Sequence, residues 1–188
     1  MIPLEKKYLI ISVIGTHAGE DISQILFNKQ KELESKGRTY WLLRSFRAKT
    51  LQIQKICEQA TKERDSIYCL FINPSRENGA RPTTHNSKVK YVSENGNNWR
   101  ALPKGVKITG KVDRQSTALV LNELYLTSPI PNIDLWKFSE FETDDPLKLQ
   151  LGASTICCKN IPSKGMQSRY RDVIAFGKLI HPYAVYVK

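Results

Sequence analysis

Residues 8–14 read YLIISVI, residues 38–45 read RTYWLLRS and residues 66–72 read SIYCLFI. Each is a short apolar run rich in β-branched and aromatic residues, the pattern of a strand buried on both faces. Between the first two, Glu20–Lys36 carries Ile22, Ile25, Leu26 and Leu33 at helical spacing, and Gly37 is a suitable stop. Between the second and third, Ala48–Thr61 carries Ile53, Ile56, Cys57 and Ala60 at the same spacing. Strand, helix, strand, helix, strand is the order of a parallel sheet with crossover helices. The first part of the chain, residues 1–75, therefore predicts a βαβαβ unit.

Beyond Asn73-Pro74-Ser75 the character changes. Gly, Pro, Asn and Ser punctuate short segments, and strands are predicted at Val89–Ser93, Val106–Thr109, Ala118–Leu126, Trp136–Phe138, Gly152–Cys158, Val173–Phe176 and Tyr183–Val187. Glu94-Asn95-Gly96-Asn97 signals a tight turn, and acidic Ser139–Pro146 reads as a loop. Residues 76–188 thus predict a β-rich unit packed on the α/β unit, making the fold class mixed α/β and α+β. The β-rich part with its basic loops is similar in pattern to small β-barrel RNA-binding domains of the PUA type. That likeness covers less than half of the chain and has no diagnostic motif, so no residue's role follows from it.

At 188 residues, 40% hydrophobic and 25% charged, the composition is that of a globular protein. The net charge of +11 is the outlier. An excess this large points to a polyanionic partner. It is also uneven. Residues 76–114 hold nine Lys/Arg against three acids, residues 159–178 hold five against one, and residues 134–148 are acidic, with five acids against two Lys. Such segregation favours a directed electrostatic face over uniform solubilisation.

The candidate binding residues come from the two basic stretches. In the first, Arg81, Lys88, Lys90, Arg100, Lys104, Lys107, Lys111 and Arg114 are cations suited to phosphates, and Tyr91 and Trp99 are rings on which bases can stack. In the second, Lys164, Arg169 and Arg171 flank Tyr170 and repeat that chemistry. The expectation is a nucleic-acid-binding protein acting within a larger intracellular assembly, with RNA or single-stranded DNA favoured by the aromatic residues. An acidic protein surface is the alternative partner. No helix-turn-helix, zinc-finger or RNP motif announces base-specific readout.

Catalytic signatures are sparse. Gly15-Thr16-His17-Ala18-Gly19 joins a strand to a helix, but it lacks the spacing of a dinucleotide or P-loop motif, and Glu20 and Asp21 would repel a phosphate there. A nuclease or nucleotide-processing site near His17, Glu20 and Arg44 is the enzymatic alternative. The acids of 134–145 lack calcium-loop spacing, and there is no Gly-x-Ser-x-Gly elbow. Cys57, Cys69, Cys157 and Cys158 form no Cys-x-x-Cys pair and read as reduced, mostly buried thiols. The sequence reading is thus a binder without catalytic residue, metal or cofactor, in the reducing cytoplasm, with no membrane segment.

Overall fold

The apolar runs that decide the fold become strands β1 (Tyr8–Val13), β2 (Thr39–Leu43) and β3 (Tyr68–Ile72), and the periodic stretches between them become α1 (Ile22–Lys36) and α2 (Thr50–Lys62). The computed structural model describes residues 3–14, 22–43, 50–73, 88–108, 112, 116–128, 131–147, 155–162 and 169–188. α1 stops where expected: Gly37 takes a φ of +69°, and its N–H donates to Leu33 O at 2.8 Å.

The later strands are β4 (Tyr91–Ser93), β5 (Arg100–Ala101), β6 (Thr117–Leu126), β7 (Asn132–Asp134), β8 (Ser139–Glu140), β9 (Thr155–Lys159) and β10 (Tyr170–Val187). Together with β1, β2 and β3 they form one mixed ten-stranded sheet. Its main path runs β2-β6-β10-β3-β1-β9-β8, with β4 and β7 paired to β10 and β5 paired to β4. The fold is mixed α/β and β-rich, with strands from both halves of the chain interleaved in that path.

The expected order of elements holds in the first half, but the pairing differs from a parallel sheet. β1 and β3 are parallel neighbours, while β2 pairs with β6 in antiparallel register, Trp41 opposite Leu119. The reason lies in β2 itself. Tyr40 and Leu42 enter one core cluster, and Trp41 and Leu43 another on the opposite face. A strand apolar on both faces satisfies its burial wherever both faces of the sheet are covered, as they are at the end of the path where β2 lies, so its pattern does not choose a neighbour.

Other differences are local. Trp136–Phe138, expected as a strand, begins inside a 3-10 turn at Leu135–Lys137; the Asp134 side chain caps it by accepting from Trp136 N at 3.1 Å. Val106 and Ile108 are buried but not in a strand. The acidic loop contains β8. Val173–Phe176 and Tyr183–Val187 are parts of one 18-residue strand, β10.

The two helices cover one face of the sheet. Ile25 and Leu26 of α1 and Ile53, Ile56, Cys57 and Ala60 of α2 pack with Ile10, Trp41, Cys69, Phe71, Leu119, Leu121 and Ala175. Trp41 and Phe71 meet with ring centroids 4.4 Å apart. The other face carries two separate clusters. Leu9, Ile11, Leu70, Ile72, Ile156 and Val173 lie beneath Ile133, Leu135 and Phe138. Tyr40, Leu42, Ala118, Val120, Val185 and Val187 lie beneath Val89, Val92, Val106 and Ile108. Between these caps a strip of the sheet stays uncovered among the described residues, with Tyr68, Tyr125 and Phe176 on it. Among the described residues no helix is long and apolar enough to cross a membrane.

Candidate functional site

The first basic stretch folds around the β4–β5 hairpin. Alternation along β4 sends Val92 into the core and Tyr91 to the opposite side, 45% exposed. β4 pairs with β5, Tyr91 opposite Ala101, and with the end of β10, Val92 opposite Val187. The turn is held by side chains. Asn95 Oδ1 accepts from the N–H groups of Asn97 and Asn98, both at 2.9 Å, and Ser93 Oγ accepts from Gly96 N at 3.0 Å. Gly96 adopts a φ of +79°, so the Asn-Gly signal in the sequence corresponds to a real turn.

Lys188 is tied into this hairpin through its backbone. Its carbonyl accepts from the N–H groups of Lys90 and Tyr91 at 2.9 and 3.0 Å, and its own N–H donates to Tyr91 O at 3.1 Å. Its ammonium then lies 3.9 Å from the Trp99 ring centroid and 6.0 Å from that of Tyr91. A cation over an indole face is attracted by the ring quadrupole. Arg100 pairs with Glu94 at 3.0 Å, which offsets one positive charge.

The chain from 102 to 108 continues this surface across α1. Glu32 is the joint. Its carboxylate accepts from Lys107 N at 3.0 Å, Thr39 Oγ1 at 2.6 Å and Lys29 Nζ at 3.0 Å, while Lys29 also donates to Lys107 O at 2.6 Å. A cleft of about 320 Å³ opens between α1, β2 and this segment, with Lys31 and Lys107 on its walls. Lys36 packs against Gly105, where a Cβ would come within 2.9 Å of Lys36 Cε. Lys104 and Lys107 are exposed beside it. Cations from α1 therefore join those of the 102–108 segment.

Of the residues singled out in the sequence, Lys88, Lys90, Tyr91, Trp99, Arg100, Lys104 and Lys107 lie on this one connected segment. All are exposed except Trp99, which is half-buried. Arg169, Tyr170 and Arg171 are elsewhere, at the start of β10, where Tyr170 pairs with Asp134. Asp134 Oδ1 accepts from Arg169 N at 2.9 Å and from Trp136 N, so a partly exposed Trp136 shares this second group. Burial, with the neighbouring Arg169 charge, holds the Arg171 guanidinium below its usual pKa. β6 is a ruler for the separation: β10 meets it at Tyr186–Thr117 and again at Ala175–Leu126. Those levels are roughly 30 Å apart at ~3.3 Å per residue, and Tyr170 lies further still. The two basic groups thus belong to opposite ends of β10.

Arg81, Lys111, Arg114 and Lys164 lie outside the described residues, as do His17, Glu20 and Arg44. Sequence reasoning missed Lys188, Lys31, Lys36 and Trp136. Lys31 and Lys36 sit within a stretch read as a helix for its apolar stripe, and nothing in their spacing announces that the 102–108 segment lies against them.

The four cysteines are free and buried. Burial pushes the thiols of Cys57, Cys69, Cys157 and Cys158 up, which keeps them protonated and poor nucleophiles. Among the described residues no cluster of His, Cys, Asp or Glu is placed to hold a metal ion. The chain matches no family model, no curated protein and no solved structure.

Proposed function

We propose that this chain binds nucleic acid, RNA or single-stranded DNA, by neutralising phosphates and stacking bases on aromatic rings. One observation carries the reading: Lys188 lies over Trp99 and near Tyr91, and the 88–108 segment that bears those rings runs on to Lys104 and Lys107, where Lys31 and Lys36 of α1 lie beside it. Acids offset only part of that charge, Glu32 at Lys29 and Glu94 at Arg100. With a net charge of +11, the rest is available to a polyanion. The mechanism needs no catalytic group, metal or cofactor. Phosphates displace counterions at the lysines, and a base stacks on the ring faces that Lys188 leaves open.

Fluorescence anisotropy of labelled single-stranded RNA, single-stranded DNA and duplex DNA across a salt series tests it. The expected result is tight binding near physiological salt, a steep salt slope and a preference for single strands. Lys104→Ala and Lys107→Ala should each lower the slope by about 0.7–0.9. Trp99→Ala should cost ~1–3 kcal/mol, reflecting one lost stack. Weak binding that is equal for all three probes and unaffected by these substitutions would refute the reading and point to an acidic protein partner.

A further inference from the structure

We propose that the uncovered strip of the sheet, floored by Tyr68, Phe176 and Tyr125, is a second and separate stacking site that takes the bases of a single-stranded nucleic acid. The inference rests on the nucleic-acid reading above and deepens it by placing the base contacts.

Pairing register alone brings the three rings together. Phe176 of β10 stands opposite Tyr125 of β6, while Lys178, two residues on, stands opposite both Tyr68 of β3 and Glu123 of β6. The Phe176 ring is 5.1 Å from Tyr125 at a tilt of 32° and 6.3 Å from Tyr68. Tyr125 is 48% exposed, and a cleft of about 440 Å³ opens over the rings. That volume lies in the range of small-ligand sites. The helices cover the opposite face and each end of this face has its own apolar cap, so among the described residues the strip is left open.

The charges select the occupant. The cations at the rim are already paired, Lys178 with Glu123 at 3.3 Å and Lys6 with Asp65 at 2.6 Å, and Glu5 adds one acid beside them. An aromatic floor whose rim offers no surplus positive charge suits a base rather than a phosphate. The cations available to the nucleic acid's phosphates are at the start of β10, where Arg171 in the strand and Arg169 just before it lie five and seven residues before Phe176, ~17–23 Å away in extended chain. Glu123 accepts from Tyr125 Oη at 3.2 Å and puts acceptors at the ring edge, within reach of a base's amino or imino groups. A duplex keeps its bases stacked on one another and cannot lay them on this floor; a single strand can.

The test uses a single-stranded oligonucleotide of about 12 nucleotides, within the range of known single-strand site sizes, carrying 5-iodouridine, with the full chain. Irradiation should attach it to Tyr68, Tyr125 or Phe176. Tyr125→Ala should weaken binding by roughly 5- to 150-fold at an unchanged salt slope, the equivalent of one base stack. Tyr125→Phe should restore binding, because the ring and not the hydroxyl is the platform. The exposed position of Tyr125 keeps the Ala variant folded, which thermal melting checks. Wild-type binding with Tyr125→Ala unaffected and adducts only at Tyr91 or Trp99 overturns the platform and leaves the hairpin reading standing. No binding by the wild-type chain overturns both.

Discussion

Replacing Glu32 by Ala should destabilise the protein and free the 102–108 segment at the same time. Glu32 has a side-chain exposure of only 11% and accepts three hydrogen bonds. Their losses differ. Thr39 is fully buried, so its hydroxyl would lose its acceptor out of reach of water, at about 1–3 kcal/mol. Lys107 is exposed and its N–H can turn to solvent, so that bond contributes ~0.5–1.5 kcal/mol. Lys29 keeps the Lys107 carbonyl as a partner and adds less than a full ion pair. The sum is about 3 kcal/mol, or roughly 6–12 °C in Tm for a chain of this size. Urea denaturation and thermal melting read the global loss, and amide exchange at 105–108 reads the local one. In a cycle with Thr39→Val, the coupling between the two positions should be about 1 kcal/mol or more. A Glu32→Ala change in unfolding free energy below about 0.5 kcal/mol, the level of an ordinary surface substitution, would refute the assignment of Glu32 as the joint between α1 and the basic segment.

Gly177→Ala should cost about 1–3 kcal/mol, read as a lower urea midpoint, because the new Cβ would lie 2.9 Å from the Glu123 carbonyl oxygen at the β6–β10 irregularity. Hydrogen bonds from Lys7, Gln59 and Tyr8 hold the Glu63 carboxyl down at about 2 from an ordinary 4.5. A carboxyl whose pKa is lower in the folded chain contributes stability that is present above about pH 4.5 and disappears as pH falls toward about 2. Glu63→Gln should therefore flatten the acid limb of a stability–pH profile within that window, by a small amplitude because solvent screens the pair; an unchanged limb would count against the network. Iodoacetamide should label none of the four cysteines in the native chain and all four after denaturation; mass spectrometry showing an adduct on the native chain would contradict their burial.

Much of the fold was legible. Ile53, Ile56, Cys57 and Ala60 enter the core as their spacing demands, and Gly37 ends its helix through its positive φ. What could not be read was adjacency. Nothing local tells β2 to lie beside β6, since it is apolar on both faces. Nothing announces that Val173–Phe176 and Tyr183–Val187 form one strand either, because Lys178 and His181-Pro182 interrupt the apolar pattern between them. The hairpin part of the candidate site was visible because its cations and rings are close in sequence. The strip of Tyr68, Tyr125 and Phe176 was not, because these residues lie on three strands and only the register joins them. Charge counting also could not separate the 88–108 group from the 169–171 group, which β10 holds at its two ends.

β10 has a bearing on how the chain reaches its native state. It pairs with β3, β4, β6 and β7, all of which precede it in the chain. Until it is in place, β3 and β6 each present an open edge lined by Leu70, Phe71, Leu119 and Leu121, the kind of surface on which partly folded chains associate. During synthesis the helices and the first strands emerge well before the segment that closes the sheet between them. The late arrival of one long strand, more than any single contact, sets the period in which this protein is most exposed to aggregation.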